Sequence, residues 1–128
     1  MALVLLDSSV LIALANSEDS HHEICHLALN EGSHEIFAST LSITEALSSP
    51  LVMTYEFALG LLESLHKVVD RFIALDEHIA FWAASLRARQ RMTLPDAIIS
   101  ATADAVNAEL WTCDRELAKK SKNSRLLL

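Results

Sequence analysis

Three short strand-like runs in this chain are each followed directly by an acid. Leu3 to Leu6 is followed by Asp7, Val68 to Leu75 by Asp76, and Leu110 to Cys113 by Asp114. The first, continuously apolar and without alternation, is what a strand covered on both faces looks like, and the second has the β-branched and apolar content of a strand. An Asp directly after it is a good N-cap for a following helix. Strand, acid and helix in repeated order imply right-handed crossovers and a parallel sheet with helices on both faces. Only two Gly (Gly32, Gly60) and two Pro (Pro50, Pro95) occur in 128 residues, too few for a turn-rich β-sandwich or barrel. With 52% hydrophobic and 21% charged residues, the chain is far too apolar to be disordered, and one domain over 1–128 is expected.

The remaining elements fill in around those runs. Val10 to Ala15 reads as a short helix, and residues 20–31 as another with Ile24, Leu27 and Ala28 on one face. Gly32 ends it before a strand from Glu35 to Ser39. Ser42-Ile43-Thr44-Glu45 has the capping-box pattern and is expected to open a third helix, broken near Pro50. Thr54 to His66 is amphipathic through Phe57, Leu61, Leu62 and Leu65. Asp76 caps a long helix to about Arg91, and Thr93-Leu94-Pro95-Asp96 starts another that runs to about Ala108. A short helix to about Lys120 and a strand from Arg125 to Leu128 close the chain.

Cys25 and Cys113 are too few for a disulfide framework and lie in very different contexts, so a reducing compartment is expected. The apolar start does not read as a secretory signal, because Asp7 interrupts it and no Lys or Arg precedes Lys67. A cytoplasmic protein is the expectation. The net charge of −7 argues against a generic nucleic-acid coat, but its distribution is uneven. Residues 1–66 hold nine acids and no Lys or Arg, whereas eight of the ten basic residues follow residue 85. Arg87, Arg89, Arg91, Lys119, Lys120 and Lys122 could therefore grip a polyanion on one side.

In a parallel sheet, ligands bind outside the carboxyl ends of the strands. Asp7 and Asp114 each follow a strand, and Glu45 and Asp96 are expected in the first turns of helices starting on the same edge. Each acid alone is explained as a helix cap or dipole partner. Together they would repel one another unless a hard divalent cation with oxygen ligands sat among them. Mg²⁺ or Mn²⁺ so held suits cleavage of a phosphodiester.

The segments LLDSSVLIAL, STLSITEAL, LPDAIISATA and LWTCD carry these four acids in an order and spacing that resembles the PIN-domain nucleases. Within that family the chain is similar to the VapC-type toxins of bacterial toxin–antitoxin pairs. The resemblance implies a three-layer α/β/α fold around a parallel sheet. It also implies endoribonuclease activity, a Mg²⁺ or Mn²⁺ centre at Asp7, Glu45, Asp96 and Asp114, and supporting hydroxyls at Ser9 and Thr112. A homodimer silenced by a small antitoxin is implied too, and the sequence itself offers the docking surface, because Leu51, Val52, Met53, Tyr55, Phe57 and Leu61 crowd more apolar area into residues 51–61 than one helix face needs. Two positions depart from the family pattern. Glu116 stands where a further Asp is common, and Asn107 stands near a usual Gly, which its tolerance of the left-handed conformation makes harmless. Asp104 lies about 12 Å along the helix from Asp96 and reads as a surface charge. Trp82 and Trp111 read as packing residues in apolar settings.

Competing motifs are weaker. His22-Glu23-Ile24-Cys25-His26 spells H-E-x-x-H, with Glu45 as a conceivable third zinc ligand, but the extended protease signature fails at Leu29. A zinc metalloprotease would also leave three of the four acids without a role, and the same histidines could otherwise form an incidental metal site. Aspartyl phosphoryl-transfer folds need an Asp at position 9 or an acid pair before Asp7, and the chain has Ser9 and Leu5-Leu6 there. A PIN-like RNA-processing nuclease that is not a toxin, or an inactive scaffold retaining the fold, are the remaining alternatives.

Overall fold

Apolar side chains on both faces of the first strand place it in the middle of the sheet. In the computed structural model, which describes residues 1–48 and 54–128, β1 (Ala2–Leu6) pairs with β2 (His34–Ser39) on one side and β4 (Glu109–Thr112) on the other. β3 (Arg71–Ile73) lies beyond β2 and β5 (Ser124–Leu126) beyond β4, so the order is β3-β2-β1-β4-β5, all parallel. The chain leaves β1 toward one edge and returns to β4 at its other side. The topological switch point therefore lies between β1 and β4, where the carboxyl ends of the strands leave a crevice.

Alternation along each strand sends side chains to two separate cores. Val4, Leu6, Ile36, Ala38 and Trp111 pack under α1 (Ser8–Ala15), α2 (His22–Leu29), α3 (Thr40–Leu47) and α4 (Tyr55–Val68). Leu5, Phe37 and Leu110 face the other way, against α6 (Leu94–Val106) and α7 (Arg115–Lys120). α5 (Glu77–Gln90) rests on the outside of α6 through Ile79, Ala83 and Leu86. The result is the three-layer α/β/α arrangement expected for a parallel sheet. α5 and α6 form an antiparallel hairpin: Trp82 meets Asp104 near one end, while Arg87 and Leu94 line one groove near the other.

Several boundaries differ from the sequence expectation, each for a tertiary reason. α3 starts at Thr40, with Ser39 as its N-cap accepting the Leu41 N–H at 3.1 Å, so Ser42 is not a cap. The helix begins where β2 ends, and Glu45 stands in its second turn. α4 continues through Val68, and only Arg71–Ile73 is left to pair with Phe37–Ser39, which shortens β3. On α2 the buried stripe is Cys25 and Ala28, and Leu27 is 61% exposed. β5 ends at Leu126, and Leu127 turns into the core while its N–H donates to the Thr112 carbonyl at 2.8 Å. Asn107 takes the left-handed C-cap conformation at φ 58°.

Trp111 is buried, whereas Trp82 is half-buried and donates its indole N–H to Asp104 at 2.8 Å. Asp104 is thus a packing partner, not a plain surface charge. No described helix is long and apolar enough to cross a membrane. Leu51, Val52 and Met53 lie outside the described residues.

Candidate active site at the carboxyl edge of the sheet

The register of β1 against β4 decides what surrounds Asp7. Leu6 pairs with Trp111, and the Asp7 N–H donates to the Trp111 carbonyl at 3.1 Å, so the Asp7 side chain emerges beside Thr112. It is 5% exposed. Its Oδ1 accepts from the Val10 N–H at 3.0 Å, as an N-cap of α1, and from the Ser9 hydroxyl at 2.5 Å. Its Oδ2 accepts from the Thr112 hydroxyl. Both hydroxyls are in turn held from the β4–α7 connection: Cys113 N–H donates to Ser9 Oγ and Asp114 N–H to Thr112 Oγ1, each at 3.0 Å. Two strands that are 105 residues apart in sequence are thereby laced together through one carboxylate.

Burial pushes the Asp7 carboxyl above the ordinary Asp range, against the lowering effect of its hydrogen bonds to Ser9, Thr112 and Val10, and Asp96 raises it further. Asp96 stands in the first turn of α6, whose cap is Thr93. Its carboxyl is also raised, by burial first and then by the charge of Asp114, with a smaller push from Glu45 and relief from Lys120. Asp96 is therefore the hub that feels all three other acids. Asp114 caps α7 and is exposed.

Glu45 reaches the edge from α3 and is held by the Ser8 hydroxyl at 2.5 Å, while Ser8 Oγ lies 3.2 Å from the buried Ser42 Oγ. The sequence assigns neither Ser8 nor Ser42 to the site, Ser42 reading there only as a helix cap. The signal was the pair of hydroxyls after Asp7: Ser9 turns back to Asp7 and Ser8 faces α3, as expected for successive residues about 100° apart on a helix.

The outlying candidates fall as follows. Glu116 is exposed and pairs with Lys119 at 3.9 Å, while its backbone N–H donates to Asp114 at 2.9 Å. Lys120 sits beside Asp96 and donates to the Arg91 carbonyl at 3.2 Å. Arg91 itself is the left-handed C-cap of α5 at φ 55°. Arg87 lines a groove of 640 Å³ between α5 and α6. Arg89 instead stacks over Trp82, 5.0 Å from the ring centroid. In the H-E-x-x-H segment, His22 donates its Nδ1–H to the Ala13 carbonyl at 2.7 Å and its ring lies 4.7 Å from that of His26. Glu45 is bound to Ser8, so the three-ligand zinc arrangement is not built.

Among the described residues no three acidic, His or Cys side chains form a ready-made metal cage. The donor chemistry of the edge nonetheless suits a hard cation: all-oxygen ligands, two carboxyls raised by burial and mutual repulsion, and a single neighbouring cation in Lys120. Sequence and fold comparisons place the chain in a family. The PIN domain family profile matches residues 4–123, and the chain belongs to that family. Its fold is similar to a toxin–antitoxin complex from Klebsiella pneumoniae, with a TM-score of 0.81 at 23% identity over 98% of both chains. It is also similar to VapBC2 from Rickettsia felis bound to promoter DNA (0.71, 18%, 97% of this chain and 96% of that one). A third similar structure is the sarcin–ricin loop cleaving toxin VapC20 of Mycobacterium tuberculosis (0.74, 17%, 91% and 93%). No curated protein sequence matches the chain.

Proposed function

We propose that the protein is a Mg²⁺- or Mn²⁺-dependent endoribonuclease acting as the toxin of a VapBC-type toxin–antitoxin pair. The observation that carries this reading is the buried Asp7 carboxylate, held by Ser9, Val10 and Thr112 at the topological switch point of a PIN domain, with Asp96 in the first turn of α6 and Glu45 held by Ser8. Asp7 and Asp96 are the direct ligands in this proposal, with Glu45 and Asp114 completing the set. A bound divalent cation would supply neutralisation of phosphate charge and a more acidic water at neutral pH. The chain's own part is positional. Ser9, Val10 and Thr112 hold Asp7 in one orientation, and Ser8 holds Glu45. Lys120, with Arg87, Arg91 and Lys119 as further candidates, offers cations to the RNA backbone beside an edge that otherwise repels it.

The partner is a small antitoxin with an apolar segment, docking on α4, where Tyr55 is 75%, Phe57 55% and Leu59 48% exposed. That is more apolar surface than one solvent-facing helix of a small domain needs. The active form is a homodimer, and the two unbridged cysteines suit a reducing cytoplasm. Metal-dependent RNA cleavage that stops with EDTA and is lost in Asp96→Asn tests the enzyme. Cleavage that persists in EDTA, or in that variant, discards it. A housekeeping RNA-processing nuclease is separated from a toxin by growth: induced expression of the wild-type chain should arrest cells, and Asp96→Asn should not.

A further inference from the structure

Two cysteines that are far apart in sequence meet next to this edge. Cys25 on α2 and Cys113 at the end of β4 place their sulfurs 3.8 Å apart across 88 residues of chain, and both are free thiols. Cys25 is 1% exposed and belongs to the core under α1. Cys113 is partly exposed, and its neighbours in sequence are Thr112 and Asp114. Only one of the pair is therefore open to a reagent from solvent, and its partner waits behind it at van der Waals distance. Closing to a disulfide needs the sulfurs to approach by roughly 2 Å, which rotation about χ1 can supply.

We propose that Cys25 and Cys113 are a thiol–disulfide modification site, oxidised by a hydroperoxide to an intramolecular bond that staples α2 to the acidic edge. The Cys113 sulfur attacks the peroxide, the O–O bond breaks, and Cys113 becomes a sulfenic acid while the peroxide leaves as water or an alcohol. The Cys25 sulfur then attacks the sulfenic sulfur, the S–O bond breaks, and a second water leaves. Two thiols lose two protons and two electrons in total, and both electrons reduce the peroxide. Because Cys25 is already in reach, the disulfide forms before Cys113 can be oxidised further. The bond would close a long loop and stiffen the Cys113 backbone, whose N–H holds Ser9 against Asp7. The site stands on geometry alone and is independent of the nuclease reading.

The test is hydrogen peroxide treatment of the full chain, read by intact mass and by a non-reducing peptide map. The expected result is a monomer lighter by about 2 Da, a single cross-linked peptide joining Cys25 and Cys113, and recovery of both thiols with dithiothreitol. The melting temperature should rise by about 10 °C on oxidation and fall back on reduction. In Cys25→Ser the same treatment should instead add oxygen to Cys113, because the resolving thiol is gone. Two alkylatable thiols remaining after oxidation, an intermolecular dimer through Cys113, or oxygen added at Cys113 in the wild-type chain would each overturn the proposal. The peptide map of the wild-type chain decides this even if Cys25→Ser fails to fold.

Discussion

Helix α2 and the carboxyl edge of the sheet both carry metal-capable side chains, but only the edge draws them from elements far apart in sequence. At and on α2, His21, His22, Glu23, Cys25 and His26 are nearly contiguous, but the helix turns Cys25 into the core while His22 and His26, four residues apart, share one face with their rings 4.7 Å apart. His22 is tied to the Ala13 carbonyl, Cys25 points into the core, and His26 faces solvent. At the edge, Asp7, Glu45, Asp96 and Asp114 span most of the chain, and the parallel topology brings their elements to one side. Proximity in sequence is thus poor evidence for a site, whereas equivalent positions at strand ends are good evidence, because a parallel sheet superposes them.

The sharpest way to break this comparison is to swap the losses. Asp7→Asn or Asp96→Asn should reduce RNA cleavage by at least about 100-fold with the circular dichroism spectrum unchanged, since each removes a metal-binding charge while keeping shape. His22→Ala with His26→Ala should leave cleavage within about twofold. A double histidine variant that loses activity while the aspartate variants keep it would reverse the assignment of the two regions.

Next in size is the support beneath Asp7. Thr112→Val removes the hydroxyl that donates to Asp7 and accepts the Asp114 N–H, stranding polar groups in a buried place. A destabilisation of about 1–3 kcal/mol in urea unfolding is expected, together with slower cleavage. Thr112→Ser keeps the hydroxyl and should recover most of both. If Thr112→Val cleaves RNA at the wild-type rate, the lacing between β1 and β4 has no part in the site.

A smaller effect concerns pH. Asp7 and Asp96 bind their protons more tightly in the folded chain than in the unfolded one, so the folded state holds more protons just above the ordinary Asp range. The metal-free protein should therefore lose stability as the pH rises from about 4 through the raised values, opposite in sign to a salt-bridged Asp. Mn²⁺ at neutral pH should restore it, by mass action on the folded state. Melting scans across pH with and without Mn²⁺ read both trends. A metal-free melting temperature that climbs through that window would contradict the crowding of the four carboxylates.

The smallest expected change separates the cations. Lys120→Ala should lower the slope of log K against log salt for RNA binding by about one, and Arg89→Ala should leave it unchanged, because Arg89 is engaged with Trp82. Equal slopes for both variants would move the RNA path off α7.

Fold class and the four acids were legible before any coordinates. The continuous apolar run Leu3 to Leu6 reports burial on two faces, and an acid directly after each strand-like run reports a cap, and both signals are local. The start of α3 was misread because Ser42 to Glu45 spells a capping box whether or not a strand ends just before it. The strand does end there, at Ser39, and takes the cap. Ser8 gave no signal of its own, since a hydroxyl after an N-cap is ordinary until α3 places Glu45 against it.

What the sequence determined by itself is therefore the alternation of elements and the address of the acids, because periodicity and capping act over a few residues. The tertiary structure alone decided that Thr112 would face Asp7, that Ser8 would hold Glu45, that Asp96 would be the hub, and that Cys25 would meet Cys113. The side-chain contacts among them depend on strand register and helix docking across 37 to 105 residues. No local pattern encodes them, because they are settled by the packing of whole faces against one another.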